Sequence, residues 1–244
     1  SNVDMEKTPD IIDVGAFENT YWLEHLEKDE YGCKYFKNIL FGYEDEESHV
    51  KLREGIKRIS GDVFFNSLKL EKIEIPKSVE IIGREAFSGC QNLKECIFEE
   101  GSNIKIIYEE AFKECKSLKE IEIPESTKYL GGKAFEDCES LEKVVFKEGC
   151  DIKILNMGVF WNCTDLKEIT LPSSLEEVYF AAFAHCESLE EIRFPESIKY
   201  IDSSALDICK NLKQIEVPVS IKEDFKIVKK IIDFGGAHPK VIYY

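Results

Sequence analysis

The stretch Leu118-Lys119-Glu120-Ile121-Glu122-Ile123-Pro124 occurs in seven versions along the chain, and this repetition decides the fold. The versions begin at Leu70, Leu93, Leu118, Leu141, Leu166, Leu189 and Leu212. Three residues before each leucine stands a cysteine, replaced by Ser67 in the first copy, and successive copies are 23 or 25 residues apart. A fixed period of this size predicts a solenoid, in which each coil buries its apolar face against its neighbours.

Each copy contains the pattern of a short strand followed by a turn. Leu118, Ile121 and Ile123 are expected to point inward, and the proline that follows stops the ladder. A second short extended piece is expected around Tyr200. The segment Ala-Phe-x-x-Cys-x-x-Leu has apolar residues at three-residue spacing, which suits a helical turn. The predicted fold class is therefore an α/β repeat solenoid, with parallel strands on the concave face and short helical turns opposite.

The beginning of the chain does not fit the repeat. Residues 1–48 mix aromatic, aliphatic and charged side chains at roughly helical spacing, with an apolar cluster around Trp22, Leu26 and Phe36. Because the open end of a solenoid needs a cover, this segment is predicted to be an N-terminal helical cap.

The rest of the chain divides into two further parts. Residues 49–220 are predicted to form the solenoid, and residues 221–244 a C-terminal cap. Within that cap we expect a helix from Glu223 to Asp233 and a last strand from Val241 to Tyr244.

Charge and residue types exclude several classes of function. The formal net charge is −16, which disfavours nucleic acid and anionic membranes as partners, since both need basic patches. The chain contains no run of 18 apolar residues, so no membrane insertion is predicted. The four histidines form no catalytic motif. We predict that the protein is not an enzyme and needs no cofactor.

The nine cysteines are predicted to be free, buried thiols. Rungs of a solenoid stack about 4.8 Å apart, whereas disulfides prefer Cβ atoms about 3.8 Å apart. Cys96 takes the place of an inward isoleucine in other copies, and is therefore interpreted as buried. No Cys-x-x-Cys pair is present, which disfavours a metal site.

The repeat closely resembles the BspA-type leucine-rich repeat. The shared pattern is Ile-x-x-Ile-x-x-x-Ala-Phe-x-x-Cys-x-x-Leu-x-x-Ile-x-Ile-Pro, seen from Ile198 to Pro218 and in six other copies that cover about 170 of the 244 residues. Departures are local: Val159 replaces the alanine, Leu206 the phenylalanine and Ser67 the cysteine. The resemblance implies a right-handed solenoid. It also implies a surface protein, adhesin or antigen with no catalytic motif.

The outward positions of the strands are candidates for a binding face. They alternate in charge along the stack, and Ile97 and Val145 are apolar exceptions. Two interpretations remain open: lateral ion pairs between neighbouring strands, or a polar face that binds a protein. The positions are Lys94, Glu95 and Ile97; Lys119, Glu120 and Glu122; Glu142, Lys143 and Val145; Lys167, Glu168 and Thr170; Glu190, Glu191 and Arg193.

A second candidate is an apolar patch formed by Met157, Trp161 and Phe180. These residues stand at solvent-side positions of adjacent coils where most other copies have polar or small residues. Their common change to large apolar side chains favours a contact patch. The alternative is a local repacking beside the longer coil.

One row beside the inward residues of the second short strand is also expected to be partly exposed. The row has an apolar residue in most copies and is interrupted by Glu177. Its other members are Ile81, Ile106, Tyr129, Ile154 and Tyr200.

Together these features predict a binding module at the cell surface or secreted from the cell. Its partner would be a protein or a surface glycan, and its oligomeric state is left open. One alternative is a structural spacer within a larger surface protein. Another is a cytoplasmic protein-binding scaffold, which unpaired cysteines would suit.

Overall fold

Each coil of the structure consists of a long strand, a short strand and a segment of turns. The computed structural model describes residues 25–224 and 239–244, which form a β-solenoid of about eight turns. The long strands stack into one side of the solenoid, here called the long-strand face. They are β3 (His49–Lys51), β5 (Lys72–Ile75), β7 (Glu95–Phe98), β9 (Glu120–Ile123), β11 (Lys143–Phe146), β13 (Glu168–Thr170), β15 (Glu191–Arg193), β17 (Gln214–Val217) and β18 (Lys240–Tyr243).

The short strands stack into a second side, here called the short-strand face. They are β1 (Cys33–Phe36), β2 (Ile39–Tyr43), β4 (Arg58–Ile59), β6 (Ile81–Ile82), β8 (Ile106–Ile107), β10 (Tyr129–Leu130), β12 (Ile154–Leu155), β14 (Glu177–Val178) and β16 (Tyr200–Ile201). Except for β1 against β2, the paired strands are parallel and place each residue opposite its counterpart in the next copy, as Lys143 lies between Glu120 and Glu168. The predicted inward phase is confirmed, because Leu118, Ile121 and Ile123 are buried.

The prediction of helical turns, and with it the α/β fold class, is wrong. The 3-10 helix Val219–Asp224 is the only helical element among the described residues. In the turn segment the backbone N–H groups alternate between two kinds of acceptor. Phe64 donates to the Ala86 carbonyl of the next coil, whereas Phe65 and Ser67 donate to Asp62 and Phe64 of their own coil. An α-helix would use every such group internally, so this segment is a ladder of turns.

Left-handed residues make these turns possible. The residue before each repeat cysteine or Ser67 has a positive φ, as do most residues four positions earlier, for example Asp62 and Glu85. The residues before the cysteine or serine are Asn66, Gly89, Glu114, Asp137, Asn162, His185 and Ile208. Apolar side chains at three-residue spacing are therefore produced by consecutive turns instead of by a helix.

Replacing Ile208 with glycine is expected to stabilise the protein. Ile208 has φ 60°, a conformation that is unfavourable for a β-branched residue. Relief of that strain should raise the free energy of unfolding by about 1 kcal/mol, measured by urea denaturation. Ile97→Gly is the matched control, because Ile97 is similarly exposed but lies in a strand, where glycine destabilises. A loss of stability in both variants would contradict the argument.

The core contains a continuous stack of phenylalanine rings. Phe64, Phe87, Phe112, Phe135, Phe160 and Phe183 are fully buried, with successive ring centroids 4.9–5.6 Å apart and nearly parallel planes. The repeat cysteines tie this stack together, because each thiol donates to the carbonyl of the phenylalanine in the preceding coil. These bonds run from Cys90, Cys115, Cys138, Cys163, Cys186 and Cys209.

All nine cysteines are free, as predicted, and eight of them are buried. Burial raises the pKa of the Cys150 thiol to about 11 and that of the Cys90 thiol to about 12. In denaturant without reductant, a thiol assay should therefore count nine groups. The folded protein at pH 8 should react far less, because thiolates are the reactive form. A denatured count near one would mean that disulfides form and would contradict the structure.

The described part of the N-terminal segment is not helical, which corrects the expected helical cap. Strands β1 and β2 form an antiparallel hairpin, and β2 continues the short-strand face by pairing with β4. Trp22 lies outside the described residues. At the other end, the predicted last strand is confirmed by β18, which pairs with β17. Residues 225–233 of the expected C-terminal helix also lie outside the described residues.

Candidate functional site

The long-strand face carries a groove of about 750 Å³ at the junction of β7 and β9. The hydrogen-bonded ladder of the described strands is interrupted there. Nine of the predicted outward residues line this groove together with Cys96: Lys94, Glu95, Ile97, Lys119, Glu120, Glu142, Lys143, Lys167 and Glu168. Four lysines face four glutamates, so the groove is formally neutral in a protein of charge −16.

The remaining predicted residues of this face lie outside the groove. Glu190 and Glu191 border a separate depression of about 520 Å³ farther along the stack. Glu122, Val145, Thr170 and Arg193 occupy outward positions on β9, β11, β13 and β15. The candidate face is therefore divided along the solenoid.

The floor of the groove differs from the sequence prediction. Cys96 is partly exposed and not buried, because the ladder is interrupted between β7 and β9; Ile169, beside the similar interruption between β13 and β15, is also only partly buried. Ile97, next to Cys96, is exposed, as expected for an outward position. The groove thus combines a small apolar floor with charged walls.

Lateral ion pairs connect neighbouring strands across this face. Lys167 Nζ lies 2.8 Å from Glu142 Oε2, and Lys143 Nζ lies 3.0 Å from Glu168 Oε2. The hydrogen bond from Lys167 holds the pKa of Glu142 below its usual value, and the bond to Glu168 raises the pKa of Lys143. Similar pairs join Glu71 to Lys94, Lys72 to Glu95, Lys147 to Glu122, Lys213 to Glu190 and Arg193 to Glu216.

Three of the charged residues predicted to line this face have no ion pair within the described part of the chain. They are Lys119, Glu120 and Glu191. Lys119 and Glu120 lie in the groove, beside the interruption of the ladder. Among the charged residues that line the groove, only these two have no ion pair within the described residues.

The apolar patch lies on the side formed by the turns. Met157, Trp161 and Phe180 are 48%, 37% and 57% exposed. Gly158 donates its N–H to the Phe180 carbonyl at 3.0 Å, which places the two coils side by side. The Lys133 ammonium lies 5.4 Å from the centre of the Trp161 ring, a cation–π distance. Because all three side chains are exposed, the patch is not part of the core.

The repeat coils carry four tyrosines on the short-strand face, of which the sequence pattern indicates only two. Tyr129 and Tyr200 were expected to be partly exposed, and they are. Tyr108 and Tyr179 were missed. They follow the inward residue of β8 and β14, at a position where other coils have Gly83, Gly131, Asn156 or Asp202. The change from small or polar residues to tyrosine at this position is the sequence signal that could have revealed them.

The described residues offer no arrangement typical of catalysis or metal binding. No group of three His, Cys, Asp or Glu side chains in residues 25–224 and 239–244 is suited to hold a metal ion. Cys186, the neighbour of His185, is buried, and burial raises its pKa well above the usual value. A thiol in that state is a poor nucleophile. Within the same ranges, no helix has the length and apolar character to cross a membrane.

Comparison with known proteins gives a family and a fold. The sequence model of the BspA type leucine rich repeat region matches six copies, over residues 1–94, 57–152 and 151–226. The solved structure of a T. pallidum leucine rich repeat protein is 24% identical, with a TM-score of 0.51, and the match covers 67% of this chain and 90% of that one. A likeness at this identity shows the fold alone. None of the curated proteins matches this chain in sequence.

Two further solved structures are similar at lower scores. A leucine-rich repeat protein from Bacteroides ovatus is 21% identical over 90% of this chain and 76% of its own, with a TM-score of 0.40. A leucine rich cell surface protein from Faecalibacterium prausnitzii is 17% identical over 89% and 94%, also with a TM-score of 0.40.

Proposed function

The chain belongs to the BspA type leucine rich repeat family, and from this membership we propose that it is a non-enzymatic module that binds a protein partner. The observation that carries the proposal is the exposure of Met157, Trp161 and Phe180 on adjacent coils. Aromatic side chains dominate the binding energy of many protein interfaces. At the position of Met157, other coils have Arg84, Glu109, Gly132 or Ser203. The fold therefore does not require an apolar residue at this position.

The test is a binding screen with matched variants. The fluorescently labelled chain is applied to arrays of immobilised extracellular proteins and of glycans. A variant with serine at 157, 161 and 180 should lose binding to any protein that the wild-type chain binds, because the apolar contacts are removed.

The control variant places serine at three other exposed apolar residues, Phe65, Leu68 and Val219. Phe65 stands at the same position of its coil as Trp161, four coils away, so it tests whether any exposed aromatic ring suffices. The control should retain binding. Binding to glycans only, or protein binding that survives the triple change at the patch, would contradict the proposal.

A second candidate function, a structural spacer, is favoured by the lateral ion pairs of the long-strand face. Pairs such as Glu142 with Lys167 and Glu190 with Lys213 saturate many of the outward charges without a partner. A spacer would bind neither array, so the same screen distinguishes the two functions.

We place the protein at the cell surface or in the secreted fraction, since members of the family are typically surface proteins. The nine free thiols favour the cytoplasmic alternative, because disulfides are rare there. Antibody labelling of intact and permeabilised cells distinguishes these locations. Labelling only after permeabilisation would contradict a surface location.

A further inference from the structure

The short-strand face carries two tyrosine pairs of the same geometry. Tyr108 and Tyr129 have ring centroids 6.2 Å apart at an interplanar angle of 61°. Tyr179 and Tyr200 have centroids 6.2 Å apart at 77°. The two members of each pair lie on neighbouring coils, and Tyr108 and Tyr129 occupy the same positions in their coils as Tyr179 and Tyr200 do in theirs. The face therefore presents the same edge-to-face arrangement twice.

A carboxylate accompanies each pair. The Tyr129 hydroxyl donates to Glu109, and the Tyr200 hydroxyl donates to Asp202 at 3.0 Å. Glu109 and Asp202 form no ion pair with any described residue, in contrast to most glutamates of the long-strand face. A ring face next to an uncompensated carboxylate attracts an ammonium or guanidinium group through cation–π and charge interactions.

The two clusters are three rungs apart along the stack. From Tyr129 on β10 to Tyr200 on β16, the face passes β12 and β14. The ladder is interrupted between β10 and β12, but the same two coils remain joined by the bond from the Lys133 N–H to the Met157 carbonyl at 2.9 Å. At a rung spacing of about 4.8 Å, the separation is therefore about 14 Å. An extended peptide advances about 3.4 Å per residue, so side chains four residues apart point to the same side and span that distance.

We propose that the short-strand face binds an extended basic peptide whose Lys or Arg side chains, four residues apart, contact the two tyrosine clusters. The central residue of such a peptide lies between Ile154 and Glu177, which are both partly exposed between the clusters. The net charge of −16 complements a cationic ligand. This surface is separate from the patch at Met157, Trp161 and Phe180, and the inference does not depend on that patch.

One cation works against this ligand. Lys128 precedes Tyr129 and has no ion pair within the described ranges, whereas Lys199, which precedes Tyr200, is paired with Glu176. Lys128 is therefore expected to weaken the binding of a basic peptide. Reversing the charge of Lys128 should therefore strengthen the binding of a basic peptide, whereas removing a tyrosine ring should weaken it.

The experiment compares two synthetic peptides of identical composition by fluorescence anisotropy at low salt. One has lysines four residues apart around a central valine, and the other has lysines two residues apart. The first should bind about fivefold more tightly, the factor supplied by one exposed cation–π contact. Equal affinity for the two spacings, or binding of neither peptide, would overturn the proposal.

Variants then assign the preference to the tyrosine clusters. Tyr200→Ala should abolish the preference for the wider spacing, whereas Tyr200→Phe should keep it, because the ring remains. Lys128→Glu should tighten binding of both peptides. The variant with serine at 157, 161 and 180 should bind both peptides as the wild-type chain does. A failure of the peptide proposal is therefore distinguishable from a failure of the proposed function. A preference that survives in a folded Tyr200→Ala variant would refute the assignment.

Discussion

Replacing Phe112 with alanine is expected to lower the free energy of unfolding by about 3–5 kcal/mol. Phe112 is fully buried in the middle of the ring stack. Its ring centroid lies 5.0 Å from that of Phe87 and 5.2 Å from that of Phe135. Alanine removes both ring contacts and leaves a cavity between two coils. The backbone ladders keep these coils at a fixed spacing, so the cavity cannot close. The loss should appear as a lower midpoint in urea denaturation, monitored by circular dichroism.

The matched control is Phe65→Ala. Phe65 follows the buried Phe64 in the turn segment, but its ring is exposed. Truncation there should change stability by no more than about 0.5 kcal/mol. Phe112→Leu should cost less than Phe112→Ala, since the coil of Leu206 already accommodates leucine at the same position. Similar losses for Phe65→Ala and Phe112→Ala would show that the stack is not the core.

A chain that begins at residue 49 is expected to aggregate or to unfold at a lower temperature than the full chain. The missing segment contains the β1–β2 hairpin, in which Cys33, Leu40 and Phe41 are buried. It also contains Tyr43, whose ring lies 4.6 Å from Phe64. Without the hairpin, the first ring of the stack and the edge of β4 face water, and unpaired strand edges promote association.

Size-exclusion chromatography and thermal melting check this expectation. A second truncation, beginning at residue 25, keeps the hairpin and separates its effect from that of the preceding residues. A monomeric chain from residue 49 with an unchanged melting temperature would show that the hairpin does not cap the solenoid.

The strands could be predicted because their apolar residues alternate in every copy. In-register repetition makes a single phase assignment valid for the whole stack, as the buried Leu141 and the ion-paired Glu142 illustrate. The alternating charges left lateral ion pairs as one of two interpretations, and the structure contains such pairs. Free thiols followed from rung spacing.

The turn segment was not predicted, because apolar spacing of three residues is shared by helices and consecutive turns. The residue before the cysteine or serine held the missing information. Asn66, Gly89, Asp137 and Asn162 are residue types that accept a left-handed backbone, whereas a helix interior disfavours them. Ile208 and Glu114 at the same position obscured that signal.

The candidate sites were only partly visible in the sequence. Met157, Trp161 and Phe180 stood out because each differs from its equivalents in other copies. The groove did not, since it depends on an interruption of the ladder after β7, and the 25-residue spacing found there recurs after Leu141, where β11 and β13 pair without interruption. The partial exposure of Cys96 has the same origin.

Because the coils stack in register, each coil is a unit that can be duplicated or deleted as a whole. A duplication or deletion of one whole copy keeps the bonding pattern on either side, because most coils offer equivalent backbone acceptors to their neighbours. Such an event would change the distance between the pair at Tyr129 and the pair at Tyr200 by one rung, about 4.8 Å. Recombination within a gene of this kind can therefore adjust the spacing of surface features in fixed steps without a single substitution in the core.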